Sequence, residues 1–220
     1  MSNIVTIAYC TEGTTDQRFL ESVIKNTFED IAYSCVGSIE VYDPVHINCP
    51  KVGNYNDNIV AIAGLAFKNG INILCVHSDA DHASDQDTFD FKITPSFKAV
   101  QDVANGVCTN LVSIVPIRMS EAWMLADLDL LKEEMGTTET NIALGFTRPP
   151  ESYADPKDVI KEALRISQGA IAKRRNHTTI SELYQPIGQK LSIEKLEALS
   201  SYRKFKESVE NAFKKMNYLH

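Results

Sequence analysis

The chain has 220 residues, with 29 acidic against 22 basic side chains and a formal net charge of −7. Apolar residues at 44% and charged residues at 23% suffice for a buried core and exclude an intrinsically disordered chain. No run approaches the roughly 18 apolar residues of a membrane span, and no basic segment followed by a long apolar one opens the chain, so a cytoplasmic protein without a secretory signal is expected.

Asn3–Cys10 reads as a buried strand: short, β-branched and closed by Thr11-Glu12-Gly13. Thr14 or Thr15 then caps a helix whose Phe19, Leu20, Val23, Ile24, Phe28 and Ile31 keep helical spacing. Ser38–Ile47 is a second strand, and Pro44 near its end favours a sheet edge. A helix over Asp57–Asn69 stops at Gly70, and Ile71–His77, uncharged and β-branched, is the clearest central strand. A third helix over Thr94–Ala104 and a fourth strand over Leu111–Ile117 come next, then a helix Glu121–Glu134 capped by Ser120. From Asp155 onward the pattern is helical only, near Asp155–Ser167, Ile180–Lys190, Ile193–Leu199 and Tyr202–Met216. The expected architecture is a largely parallel four-stranded α/β sheet over residues 1–135, a Thr/Gly/Pro-rich connector over 136–154, and a helical extension over 155–220 packed on the core.

Charge divides along the same line. Residues 1–156 carry 22 acids and 9 bases, net −13; residues 157–220 carry 13 bases and 7 acids, net +6. The asymmetry suggests an acidic surface and a basic one. Lys173-Arg174-Arg175 is the densest basic spot and a candidate for gripping phosphate. The five cysteines form no CxxC pair and no closed disulfide set; Cys10, Cys75 and Cys108 read as small core hydrophobes.

Three acidic features lie just beyond predicted strand ends: Glu12 through Asp16, Asp79-Ala80-Asp81, and Glu121 before Trp123. The carboxyl ends of parallel strands form the crevice where ligands bind. Clustered carboxylates repel one another, and a hard divalent cation, Mg²⁺ or Mn²⁺, compensates them best. Each feature has a plainer reading as a turn or first-turn acid; their joint placement favours a metal. His77 and His82 flank the DxD, as ligands or as ion-pair partners. Trp123, on an apolar face with Leu125, Leu128 and Leu131, is expected in the core.

Strand–Glu12-Gly13–helix followed by strand–Asp79-Ala80-Asp81 resembles the Toprim domain of topoisomerases, bacterial primases and the overcoming-lysogenization-defect nucleases. The resemblance extends to a family of small bacterial Toprim-like proteins through Glu121-Ala122-Trp123-Met124-Leu125-Ala126-Asp127 and Asp155-Pro156-Lys157. It implies Glu12, Asp79 and Asp81 as catalytic and metal-binding groups, with Asp16 as the second acid of a two-metal nuclease. On this reading Glu121 completes the site or positions water, Glu12 is alternatively a general acid or base, and Lys157 neutralises charge on the phosphate. Arg118, Lys173, Arg174 and Arg175 are then candidates for binding nucleic acid, DNA rather than RNA. A genomically linked ATPase, a role in phage defence and a homodimer are also implied. Two other readings remain at this level: a different metal-dependent phosphoryl-transfer enzyme, and a non-catalytic subunit that docks nucleic acid or an ATPase. No P-loop is present for ATP turnover by the chain itself.

Overall fold

The computed structural model describes residues 3–169 and 178–219. Strands β1 (Asn3–Val5), β2 (Ile7–Cys10), β3 (Ile39–Val41), β4 (Val45–His46), β5 (Ile73–His77) and β6 (Leu111–Ile114) build two sheets. The main one has the order β4-β2-β5-β6 with every pair parallel, and β1 and β3 form a separate parallel pair. Helices lie on both faces, as in Rossmann-like α/β proteins. Every residue of β2, β5 and β6 is buried, which explains their near-continuous apolar runs.

Alternation along the strands sorts the core into two layers. Ile7, Tyr9, Ile73, Cys75, Val112 and Ile114 face the helices α1 (Thr14–Ala32), α7 (Pro156–Gln168), α8 (Ile180–Lys190), α9 (Ile193–Leu196) and α10 (Ser200–Lys215). Ala8, Cys10, Leu74, Val76 and Leu111 face α2 (Tyr55–Lys68) and α4 (Thr94–Gln101). The C-terminal helices therefore cover one face of the sheet and share its core. Helix α8 lies so close to α1 that a Cβ on Gly188 would sit 2.5 Å from the Phe19 carbonyl oxygen. Trp123 is fully buried as expected, stacked on Phe205 and edge-on to Tyr202, and its indole N–H donates to Ser201 Oγ at 2.7 Å.

Three expected elements are interrupted, each for a local reason. The first strand breaks at Thr6, whose N–H donates to Asn72 Oδ1 and whose hydroxyl reaches the Gly70 carbonyl, both at 2.9 Å. The second divides around Pro44, leaving β4 at the expected sheet edge. The helix expected over Glu121–Glu134 is two helices, α5 (Glu121–Met124) and α6 (Leu128–Met135). Asp127 stands between them and caps α6, accepting from the N–H groups of Asp129 and Leu130. The remaining short helix, α3 (Gln86–Thr88), runs through a π-helical stretch Phe89–Ile93 into α4.

The connector is packed rather than free. Leu144, Phe146 and Tyr153 are buried, and the Tyr153 hydroxyl accepts from the N–H groups of Thr147 and Arg148 while donating to the Gly145 carbonyl. Lys173, Arg174 and Arg175 lie outside the described residues. The described cysteines are free, with Cys10, Cys75 and Cys108 buried. Among the described residues, no helix is long and apolar enough to cross a membrane.

Candidate metal centre

Strands β2 and β5 are parallel neighbours in register, so the turns at their carboxyl ends lie side by side. After β2 the chain turns through Glu12-Gly13 and enters α1, where Asp16 stands in the first turn, the favourable end of the helix dipole for an acid. Residue His77 ends β5, and Ser78 and Asp79 come directly after it. One ligand atom from each of Asp16, His77 and Asp79 lies within 4.8 Å of the other two. Donors about 2.1 Å from one metal ion stand roughly 3.0–4.2 Å apart for right-angled to opposed positions, so the trio's spacing is close to that of a coordination set.

Ser120, fully buried, ties this group together. Its hydroxyl donates to Asp16 Oδ1 in a short hydrogen bond, and its N–H donates to Asp79 Oδ1 at 3.1 Å. Expected as a helix cap, its side chain makes no cap and holds an acid instead. Gly13 has a comparable local reason. A Cβ there would stand 2.8 Å from Asp16 Oδ2, so only glycine leaves the carboxylate its position.

The electrostatics are those of a buried acidic site only partly compensated by its neighbours. Burial, reinforced by the charges of Asp16 and Glu12, raises the Asp79 carboxyl above its ordinary range despite the nearby imidazole. Burial opposes a charge on His77, but Asp79, Asp16 and Glu12 outweigh it and raise the imidazole's pKa. The His77 side chain is wholly inaccessible and its Nε2 stands 3.3 Å from Asp79 Oδ1. That contact lacks hydrogen-bond alignment, and neither ring nitrogen has a hydrogen-bond partner. Two carboxylates beside a buried imidazole, paired with one of them and without an aligned hydrogen bond, fit a divalent cation.

Glu12 lies at the exposed rim. Ser78 Oγ donates to its Oε1 at 2.7 Å, and Lys92 Nζ reaches both Glu12 Oε1 (3.3 Å) and Ser78 Oγ (3.1 Å). Lys92 belongs to the π-helical turn, a distortion frequent at functional sites. Neither Ser78, Ser120 nor Lys92 stands out in the sequence as a site residue. The two serines carry a signal in retrospect, since each immediately precedes an acidic motif.

Asp81 and Arg118 are brought together through their backbones. The loops after β5 and β6 continue side by side, with Asp81 N–H donating to the Arg118 carbonyl (2.8 Å) and Arg118 N–H to the His82 carbonyl (3.1 Å). Both residues have positive φ, 59° and 66°. Asp tolerates that region, whereas for Arg it is strained, a condition concentrated at functional sites. The Asp81 side chain is exposed and stands outside the Asp16–His77–Asp79 group. Arg118 Nε is buried and has no hydrogen-bond partner.

Glu121 and Lys157, expected in the metal site and on the phosphate, are placed differently. Glu121 is 3% exposed, accepts a short hydrogen bond from the buried Tyr184 hydroxyl, and pairs with Lys157 Nζ at 3.2 Å. Burial and Glu121 together push the Tyr184 hydroxyl far above its ordinary pKa. Asp155 caps α7 by accepting from Asp158 N–H, and Pro156 starts the helix, which aims Lys157 back at Glu121. The two most distinctive motifs thus meet each other beside the centre. They join α5, α7 and α8, and Glu121 is not among the grouped ligand atoms.

Fold and centre together define a Rossmann-like α/β protein with an acidic, metal-compatible cluster at the carboxyl edge of its sheet. Comparison of the chain with protein-family models, with curated proteins and with solved structures returned no match.

Proposed function

We propose that the protein is a metal-dependent nuclease that cleaves phosphodiester bonds at the carboxyl edge of the sheet. The observation that carries this reading is the convergence of Asp16 and Asp79 from two adjacent strand ends, with Glu12 one serine away. A bound divalent cation supplies a lowered pKa for water and a counter-charge for the leaving oxygen. Asp16 and Asp79 hold it, and Ser120 fixes the orientation of both carboxylates. Glu12, exposed and held by Ser78, is placed to take a proton from attacking water. Lys92, partly exposed and paired with Glu12 at 3.3 Å, stands at the rim beside the proposed base and joins Lys157, paired with Glu121 at 3.2 Å, as a group to meet the developing phosphate charge. DNA as the preferred substrate, a linked ATPase, phage defence and a homodimer rest on the Toprim resemblance.

The test is cleavage of supercoiled, linear and single-stranded DNA and of RNA, with Mg²⁺ or Mn²⁺, by wild type, Glu12→Gln and Asp79→Asn. Metal-dependent cleavage by wild type and its loss in both variants is expected. Equal cleavage by all three proteins, or none by wild type with either metal, overturns the proposal.

A further inference from the structure

Histidine at position 77 is unusual in its surroundings. It is the last of five successive buried strand residues, Ile73-Leu74-Cys75-Val76-His77, at a point where another apolar side chain would satisfy the core. Burying an imidazole without a hydrogen bond is costly; here neither nitrogen has an aligned hydrogen bond, and the ring's polar contact is Nε2 with Asp79 Oδ1 at 3.3 Å. Asp79 Oδ1, the nearest carboxylate oxygen, also accepts from Ser120 N–H, and its ion-pair contact engages one edge of the ring. What the ring does have is proximity: a nitrogen within 4.8 Å of ligand oxygens from both Asp16 and Asp79.

We propose that His77 is a nitrogen ligand of the centre and makes it selective for a first-row transition cation such as Mn²⁺, Co²⁺ or Zn²⁺ over Mg²⁺. This rests on the metal-centre reading and decides what kind of metal. Mg²⁺ prefers an all-oxygen octahedral shell and keeps several waters, whereas imidazole binds the later, more polarisable ions. Two carboxylates and one imidazole form a mixed donor set. A tightly closed all-oxygen shell for Mg²⁺ would require His77 to move away, and its complete burial among core side chains opposes that. The exposed His82, which flanks the DxD on its other side, is not among the grouped ligand atoms.

Two measurements on the full chain test this, neither depending on catalysis. Pulsed electron paramagnetic resonance of the Mn²⁺-loaded wild type is expected to show nitrogen modulation from a directly bound imidazole, absent in His77→Gln and retained in His82→Gln. Titration with Mn²⁺ and with Mg²⁺ is expected to show at least about tenfold weaker Mn²⁺ binding in His77→Gln, with Mg²⁺ affinity changed by less than about threefold. The wild-type spectrum is informative even if the buried substitution unfolds the chain. Mn²⁺ bound with no nitrogen modulation, or modulation that disappears in His82→Gln instead, overturns the assignment to His77 while leaving the metal centre standing. No Mn²⁺ binding by folded wild type overturns both.

Discussion

Replacing Tyr184 by Phe removes one hydroxyl from the junction of α1, α5, α7 and α8 and leaves its packing volume unchanged. The neutral hydroxyl donates to the buried Glu121 carboxylate, which also pairs with the charged Lys157 at 3.2 Å. A hydrogen bond to an ionised group contributes about 1.5–3 kcal/mol. Because Lys157 remains to compensate Glu121, a loss near 2 kcal/mol is expected. In a chain of this size each kcal/mol corresponds to roughly 2–4 °C, so calorimetry at pH 7–8 should show Tm falling by about 4–8 °C. The Lys157 side chain is 39% exposed, so water screens its pairing, and Lys157→Met should cost only about 1 kcal/mol. The double variant should lose more than the two single losses combined, because it strands a buried carboxylate. Mn²⁺ affinity of Tyr184→Phe should stay within about threefold of wild type, since Glu121 is not in the ligand group. A Tm within about 1 °C of wild type would refute the hydrogen-bonded network. A Mn²⁺ affinity reduced tenfold or more would instead return Glu121 to the metal site, where the sequence pattern puts it.

Two further predictions concern the turn into α1 and the start of α10. Gly13→Ala should displace the Asp16 carboxylate, weakening Mn²⁺ binding about tenfold or more while Tm changes little; unaltered affinity in calorimetric titration would contradict the 2.8 Å conflict. Glu151 accepts four hydrogen bonds from the backbone and hydroxyl groups of Ser200 and Ser201. Burial opposes its charge, yet these donors outweigh burial and lower its pKa below 4.5. A depressed carboxylate contributes stability above its unfolded pKa, and that contribution is lost as pH falls through the folded value. Glu151→Gln should therefore be less stable than wild type by about 2 kcal/mol at pH 7, with the difference shrinking below about pH 4.5. A gap in Tm that stays constant from pH 7 to pH 3 would contradict it.

Much of the architecture was legible because short buried strands alternated with amphipathic helices, and the β2, β5 and β6 runs had no competing reading. The breaks at Thr6 and Asp127 were not, because each depends on a side chain competing locally with regular structure. Asn72 is 66 residues from Thr6, so its capture of the Thr6 N–H has no short-range signature. The Asp127 cap was visible in principle, but a continuous apolar face masked it. In the centre, Asp16 and Asp79 were legible from their position after strands. His77 does pair with Asp79, as its ion-pair reading has it; its complete burial beside Asp16 as well was not legible, because it depends on how the sheet and helices pack. The partnership of Glu121 with Tyr184 spans 63 residues, and that of Lys92 with Glu12 spans 80. Pairings of that range arise from topology rather than pattern. The negative total charge reads differently as well: Asp16, Asp79 and Glu12 converge on one sheet edge.

The most direct measurement is anomalous diffraction from crystals grown or soaked with Mn²⁺. A peak is predicted at the carboxyl ends of β2 and β5, within about 2.3 Å of oxygens from both Asp16 and Asp79, and its loss is predicted in Asp79→Asn. At saturating Mn²⁺, a structure with these carboxylates still held by Ser120 and His77 and no peak between them would contradict the metal centre.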